Sequence, residues 1–410
     1  MKGLKIGLIA VLSVIVLGLC GMLAWGIGST RNGNAFPIGT TYADMRLVLD
    51  EEVSLDGIDR IDILYDMNSN DVILHKGEGN TLRVMEYLNY EAAENEVSTV
   101  GVKGNTLEVV GKRRNAHTVR AFGFGYSSGY GYTEIWLPDS YRNALEVKTS
   151  SGNIRADFDI VLDSDLAFSS SSGDMTLKAV SAAVVEITAT SGNINGDSLC
   201  AADGSGAITI STSSGDVRID RFTGDTTIET TSGCMNVETI TGSFNGSSSS
   251  GDITVGSADG DAKASATSGY IKIKGGSGTR DISTSSGDVL LEGTGDTFDI
   301  RTTSGEAVVK AERGAGSIST SSGDVRLTLP ELTGKLNIHT TSGRVDISLS
   351  ETAAMDFEAN TTSGDITTFF DDSLSFSKRG NRAKGTVGSA EQVYEVDIET
   401  SSGDVRITKY

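Results

Sequence analysis

Residues 211–219 read STSSGDVRI and residues 319–327 read STSSGDVRL. The core of that phrase, SSGDV, returns at 285–289 and at 401–405. A catalytic motif is normally written once, so a polar turn followed by the same small strand, written many times, marks architecture. The glycines of the Ser-Gly pairs fall at 152, 173, 192, 215, 233, 251, 269, 287, 305, 323, 343, 364 and 403, and from Gly215 to Gly323 the spacing is 18 without exception. The last gap, 39 residues, divides into 21 and 18 if Gly385 is a worn copy. A fixed short period with apolar residues alternating around each turn predicts a stacked β-solenoid. A second glycine often follows nine residues later, at Gly224, Gly242, Gly260, Gly278 and Gly314. Each unit then reads strand, turn, strand, turn, with glycine supplying turn conformations that a Cβ makes costly.

A slower beat lies underneath. Taking Gly385 into the series, alternate glycines are followed by Asp174, Asp216, Asp252, Asp288, Asp324, Asp365 and Asp404. The others are followed by Asn153, Asn193, Cys234, Tyr270, Glu306, Arg344 and Thr386. Two residues before the glycine, Ser213, Ser249, Ser285 and Ser321 alternate with Thr231, Thr267, Thr303 and Thr341. Units of 18 residues therefore pair into a period of 36. A coil of 18 would set the aspartates two layers apart, relieving repulsion. A coil of 36 would stack them in one column, and the Ser/Thr switch favours the longer coil.

The composition agrees with an all-β chain: 50 glycines and 3 prolines in 410 residues disfavour long helices. A net charge of −21 argues against a nucleic-acid partner, which requires a basic footprint. Of three cysteines, Cys20 lies in the apolar N-terminus, while Cys200 and Cys234 have no metal-like spacing.

At the N-terminus, Lys2 and Lys5 precede an uncharged run from Ile6 to Ile27. Its 22 residues would span about 33 Å as a helix, the thickness of a hydrocarbon core and longer than a cleaved signal requires. The expectation is one transmembrane signal anchor over 6–28, with a cytoplasmic tail at 1–5 and everything beyond outside the cell. Cleavage after GIG (26–28) and lipidation at Cys20 in LGLC (17–20) are the alternatives.

Residues 29–55 read as a stalk or the first edge of the fold, 56–144 as irregular opening strands that cap the solenoid, and 145–410 as regular coils. The order of anchor, GIDRIDILYDMNSNDVIL (57–74), TLEVVGK (106–112), TEIWLPDSYRNALEVKTSSGNI (133–154) and serial SGD coils resembles the bacterial putative-adhesin β-repeat family, LiaG-like proteins included. The resemblance implies a cell-envelope protein with no catalytic residues to carry over.

The chemistry available is thin. His75, His117 and His339 sit in no nucleophile or zinc motif, and no phosphate loop opens a helix. No cofactor is expected. The aspartate series raises a calcium ladder, but one carboxylate per turn is a poor supply for six to eight ligands. The most distinctive non-repeat stretch is GKRRNAHTVRAFGFGYSSGYGYTEIW (111–136). Lys112, Arg113, Arg114 and Arg120 precede Phe122, Phe124, Tyr126, Tyr130 and Tyr132 there. Such a loop suits anionic headgroups or envelope glycan, or else packs its aromatics against the solenoid opening. A second basic cluster, Lys378, Arg379, Arg382 and Lys384, reads as a solvated insertion. The expected function is a non-catalytic surface or scaffold module held by one membrane span, with envelope proteins or cell-wall glycan as partners. The rival readings are a β-helix that binds or cleaves wall polysaccharide and an envelope-stress accessory working through a membrane partner.

Overall fold

The computed structural model describes residues 45–67, 69–114, 118–121, 124–127, 130–201, 206–293, 297–370, 373–389 and 392–410, giving only the backbone path at 118–121 and 124–127. The anchor expected at 6–28 lies outside them. Among the described residues there is no α-helix, and none long and apolar enough to cross a membrane. Two long sheets, of 19 and 18 strands, face each other across a narrow apolar core.

The ladders fix the coil. In one sheet Val217, Met235, Ile253, Ile271, Val289, Ala307 and Val325 pair in succession, all in parallel. In the other, Ile210, Ile228, Gly246, Ala264, Ile282, Ile300 and Ile318 do the same. Every step is 18 residues, so one turn of the solenoid is 18 and the 36-residue coil is wrong. Side chains point alternately in and out, as a pleated strand requires. Inside, bulk is shared between layers: Phe244, Ala262, Arg280, Phe298 and Gly316 form one inward column. Arg280 is 1% exposed and donates to the carbonyls of Ala258 and Gly260, both at 2.8 Å, where neighbouring coils turn.

The two corners need glycine for different reasons. At the second corner Gly224, Gly242, Gly260 and Gly278 have φ of 115°, 127°, 145° and 95°, where a side chain is strained. At the Ser-Gly corner the cause is proximity. A Cβ on Gly233 would stand 1.8 Å from the carbonyl oxygen of Gly215, and one on Gly269 would stand 2.0 Å from that of Gly251. The residue three before anchors the turn: buried Thr230 accepts the Gly233 N–H at 2.8 Å and Ser248 that of Gly251 at 2.8 Å.

Both ends depart from chain order. The first coil, Arg60–Tyr65 with Asp71–Gly77, is sandwiched between two later ones. Thr106–Val110 and Gly131–Pro138 cover one side, and Ala144–Thr149 and Ile154–Ala156 the other. At the far end the last coil, Tyr394–Thr400 with Val405–Lys409, slips between Glu331–Thr340 and Val345–Leu349 on one side and Met355–Thr361 and Ile366–Thr367 on the other. Gly385 is therefore no worn repeat. It lies in Arg382–Val387, an antiparallel strand laid on Met355–Thr361. Antiparallel strands also close the first end, where Arg46–Ser54 pairs with Thr81–Leu88 and Thr99–Lys103 with Thr106–Val110. The second half of the stretch read as a stalk is thus an edge strand. Closure of this kind blunts edges that would otherwise recruit further strands.

Candidate functional site at the first end of the solenoid

The basic and aromatic stretch interrupts the passage from one sheet to the other beside the first coil. Its tip is a separate hairpin, Thr118–Ala121 antiparallel to Phe124–Ser127. The structure divides the residues singled out there. Arg114 turns inward: its guanidinium meets the Glu86 carboxylate at 2.7 Å, the two side chains being 6% and 0% exposed, and also donates to Asn70 Oδ1. The Tyr130 hydroxyl donates to Asp71, and its N–H to Asn89 Oδ1 at 3.2 Å. Tyr132 stacks on Tyr87, rings 4.7 Å apart and 10° from parallel. These three hold the roots of the hairpin. Arg113 is exposed and Lys112 half-buried. Arg120, Phe124 and Tyr126 lie on the hairpin strands; Phe122 and His117 fall outside the described residues.

Beneath the hairpin lies a buried polar cluster that the sequence did not announce. Asn70, Glu86 and Thr133 are 0% exposed and Ser98 4%. Asn70 Nδ2 donates to Glu86 Oε1 at 3.0 Å and to Thr133 Oγ1 at 3.1 Å. Ser98 donates to the same carboxylate through its hydroxyl at 2.7 Å and its N–H at 2.8 Å. Tyr65, fully buried, accepts from Thr133 at 2.8 Å; burial, and then the nearby Glu86 charge, push its hydroxyl far above the usual value.

On the outer face of the same sheet, Trp136 sits four residues beyond Tyr132 on one strand. His75 packs on it at 4.7 Å, with its Nδ1 3.0 Å from Asp157 and its Nε2 3.6 Å from Glu134. The alternation in YTEIWLPD (132–139) already placed Tyr132, Glu134 and Trp136 on one face, so Trp136 was findable. His75 comes beside it only through strand pairing.

The aspartate column has a structural occupation. Asp174, Asp216, Asp252, Asp288 and Asp324 accept the amide N–H of Asn193, Cys234, Tyr270, Glu306 and Arg344 in the next coil, at 2.7–2.9 Å. At the second corner Asp225 and Asp261 do the same for Ser243 and Thr279, at 3.0 and 2.9 Å. With 18-residue coils, successive aspartates from Asp216 to Asp324 stand about 9.6 Å apart, two layers of about 4.8 Å, too far to share one cation. Among the described residues no group of three His, Cys, Asp or Glu is placed to hold a metal. Nothing in the structure explains the Ser/Thr switch. Cys200 and Cys234 are free thiols, the second exposed. In the second basic cluster, Arg382 and Lys384 both pair with Glu358, at 2.7 and 2.6 Å.

A model of the Toastrack DUF4097 family matches residues 58–275 and 244–408. Among solved structures, a putative cell adhesion protein from Clostridium sporogenes is similar at 11% identity over 88% of this chain and 100% of its own, with a TM-score of 0.17. A putative adhesin from Parabacteroides merdae is similar at 11% identity over 71% and 97%, with a TM-score of 0.29. One from Parabacteroides distasonis stands at 12% over 88% and 97%, with 0.19. Likeness of this order does not bear on function. Among curated proteins no relative matches.

Proposed function

We propose, for a chain that belongs to the Toastrack DUF4097 family, an extracytoplasmic rod held to the membrane by its N-terminal segment and serving the envelope as a non-catalytic surface or scaffold module. The observation that carries this reading is the shared address of two features. The strand Arg46–Ser54, where the described chain begins, is the outer strand of one sheet at the end that also bears the 111–130 hairpin. An anchor at 6–28 would therefore set the hairpin, with Arg113 and Arg120, on the membrane-facing end. The body beyond is a stack of coils. Its Ser-Gly corners form a column that runs from Gly152 to Gly343, then through Gly403 to Gly364, each glycine against the carbonyl of its neighbour in the stack. A stack of this kind presents long faces to a partner without needing a reactive group.

Glycan binding is a second reading, favoured by Tyr87, Tyr132 and Trp136 gathered on one outer face with Glu134 between them. Aromatic side chains with a polar edge are suited to such contacts.

Exposed Cys234 offers the test of placement. In a Cys200→Ser background a membrane-impermeant maleimide should label intact cells carrying the full chain, and adding Cys234→Ser should abolish the label. Labelling that appears only after lysis would overturn the extracytoplasmic assignment.

A further inference from the structure

The polar cluster beneath the hairpin has the parts of a reaction as well as of a scaffold. We propose that Thr133 and Asn70 become joined by an intramolecular ester, made once per chain by the residues that surround them. The nucleophile already touches the leaving nitrogen. Thr133 Oγ1 lies 3.1 Å from Asn70 Nδ2. With a C–N bond of about 1.33 Å, the hydroxyl oxygen is then at most about 4.4 Å from the carboxamide carbon. Both side chains are 0% exposed, so no water competes for that carbon. The Arg114 guanidinium donates to Asn70 Oδ1, the atom on which negative charge would gather during attack.

A line of hydroxyls also leads from the nucleophile to an acceptor. Thr133 donates to the Tyr65 hydroxyl at 2.8 Å, and the Ser98 hydroxyl stands beside Tyr65. Ser98 donates to Glu86 Oε1 at 2.7 Å. That same oxygen accepts from Asn70 Nδ2, the leaving nitrogen, at 3.0 Å. The step balances without any co-reactant. Thr133 Oγ1 bonds to Asn70 Cγ, and its proton passes along Tyr65 and Ser98 to Glu86. Glu86 delivers a proton to the nitrogen as the Cγ–Nδ2 bond breaks, and ammonia leaves. Fixed proximity of this kind substitutes for catalytic turnover in a reaction that happens once.

The link would tie residues 63 apart in sequence, joining the first coil to the strand that covers it. A rod pulled by its membrane end loads those layers first. The proposal goes beyond the envelope role and does not depend on which ligand the rod meets.

Peptide mapping of the purified full chain decides it. Trypsin should yield the segments 61–76 and 121–142 joined in one species, lighter than their sum by ammonia, about 17 Da. Brief alkaline hydroxylamine should separate them, because at high pH it cleaves oxygen esters and spares ordinary amides. Thr133→Ser should keep the link, while Thr133→Val and Glu86→Gln should lose it. Recovery of both segments separate and of unaltered mass from the folded wild type would overturn the proposal, whatever the variants do. So would ammonia loss confined to the 61–76 peptide, which would mean cyclisation at Asn70–Asp71, or a link that survives in Thr133→Val.

Discussion

Asp404 accepts the amide N–H of Asp365 at 3.1 Å, although it follows Asp365 by 39 residues. The contact exists because the last coil lies inside the stack rather than at its end, and it is the one place in the column where two aspartates meet in neighbouring layers. Removing residues 392–410 should therefore do more than shorten the rod. It strips partners from both neighbouring coils and deletes the buried side chains of Val396, Ile398, Val405 and Ile407, each contributing about 1.5–3 kcal/mol. Limited proteolysis of the truncated chain should cut after about residue 350 while the coils before it stay protected.

The two glycine corners should respond differently from open turns. Gly269→Ala drives a Cβ to 2.0 Å from the Gly251 carbonyl oxygen and should lower stability by more than the roughly 1–3 kcal/mol of ordinary overpacking, since backbone must move. Gly79→Ala, at φ 73° with nothing within 4 Å, should cost about 1–2 kcal/mol. Urea midpoints compared at constant slope measure both.

The aspartate ladder separates capping from charge. Asp252→Asn keeps an oxygen for the Tyr270 N–H and should be nearly neutral, whereas Asp252→Ala should cost about 1 kcal/mol. Tyr270→Asp places carboxylates in three successive layers. Its destabilisation should shrink as salt is raised, which the loss of a hydrogen bond would not do.

Acid should loosen the far end through Glu358. Hydrogen bonds from Lys384, then Arg382 and Asn360, hold its carboxyl down from 4.5 to about 2. A value depressed by folding gives a stabilisation complete above about pH 4.5 that is lost as pH falls towards 2. The thermal midpoint of wild type should drop across that window more than that of Glu358→Gln. The difference should narrow in high salt, because Arg382 and Lys384 are exposed.

The hairpin gives a division of labour. Phe122→Ser, Phe124→Ser and Tyr126→Ser together should leave the thermal midpoint unchanged and reduce flotation with anionic vesicles. Arg114→Ala leaves Glu86 buried without its guanidinium and should cost about 3–5 kcal/mol. Equal losses of stability in both variants would show the tip to be packed into the body.

The sequence by itself determined the repeat, its 18-residue step, the two-sheet alternation and the acidic beat, because parallel stacking writes the same local demands once per layer. It could also place Trp136 on the face of Tyr132, since a strand has a period of two. What it could not decide was which coil lies against which. Spacing along the chain suggested Gly385 as a repeat and the Ser/Thr switch suggested a 36-residue turn, whereas backbone pairing set Asp404 between Arg344 and Asp365 and gave each aspartate an amide one layer away. The buried cluster was invisible for the same reason: Tyr65, Asn70, Glu86, Ser98, Arg114 and Thr133 come from separate strands and loops. Only the out-of-order closure of the first end brings their side chains into one space without water.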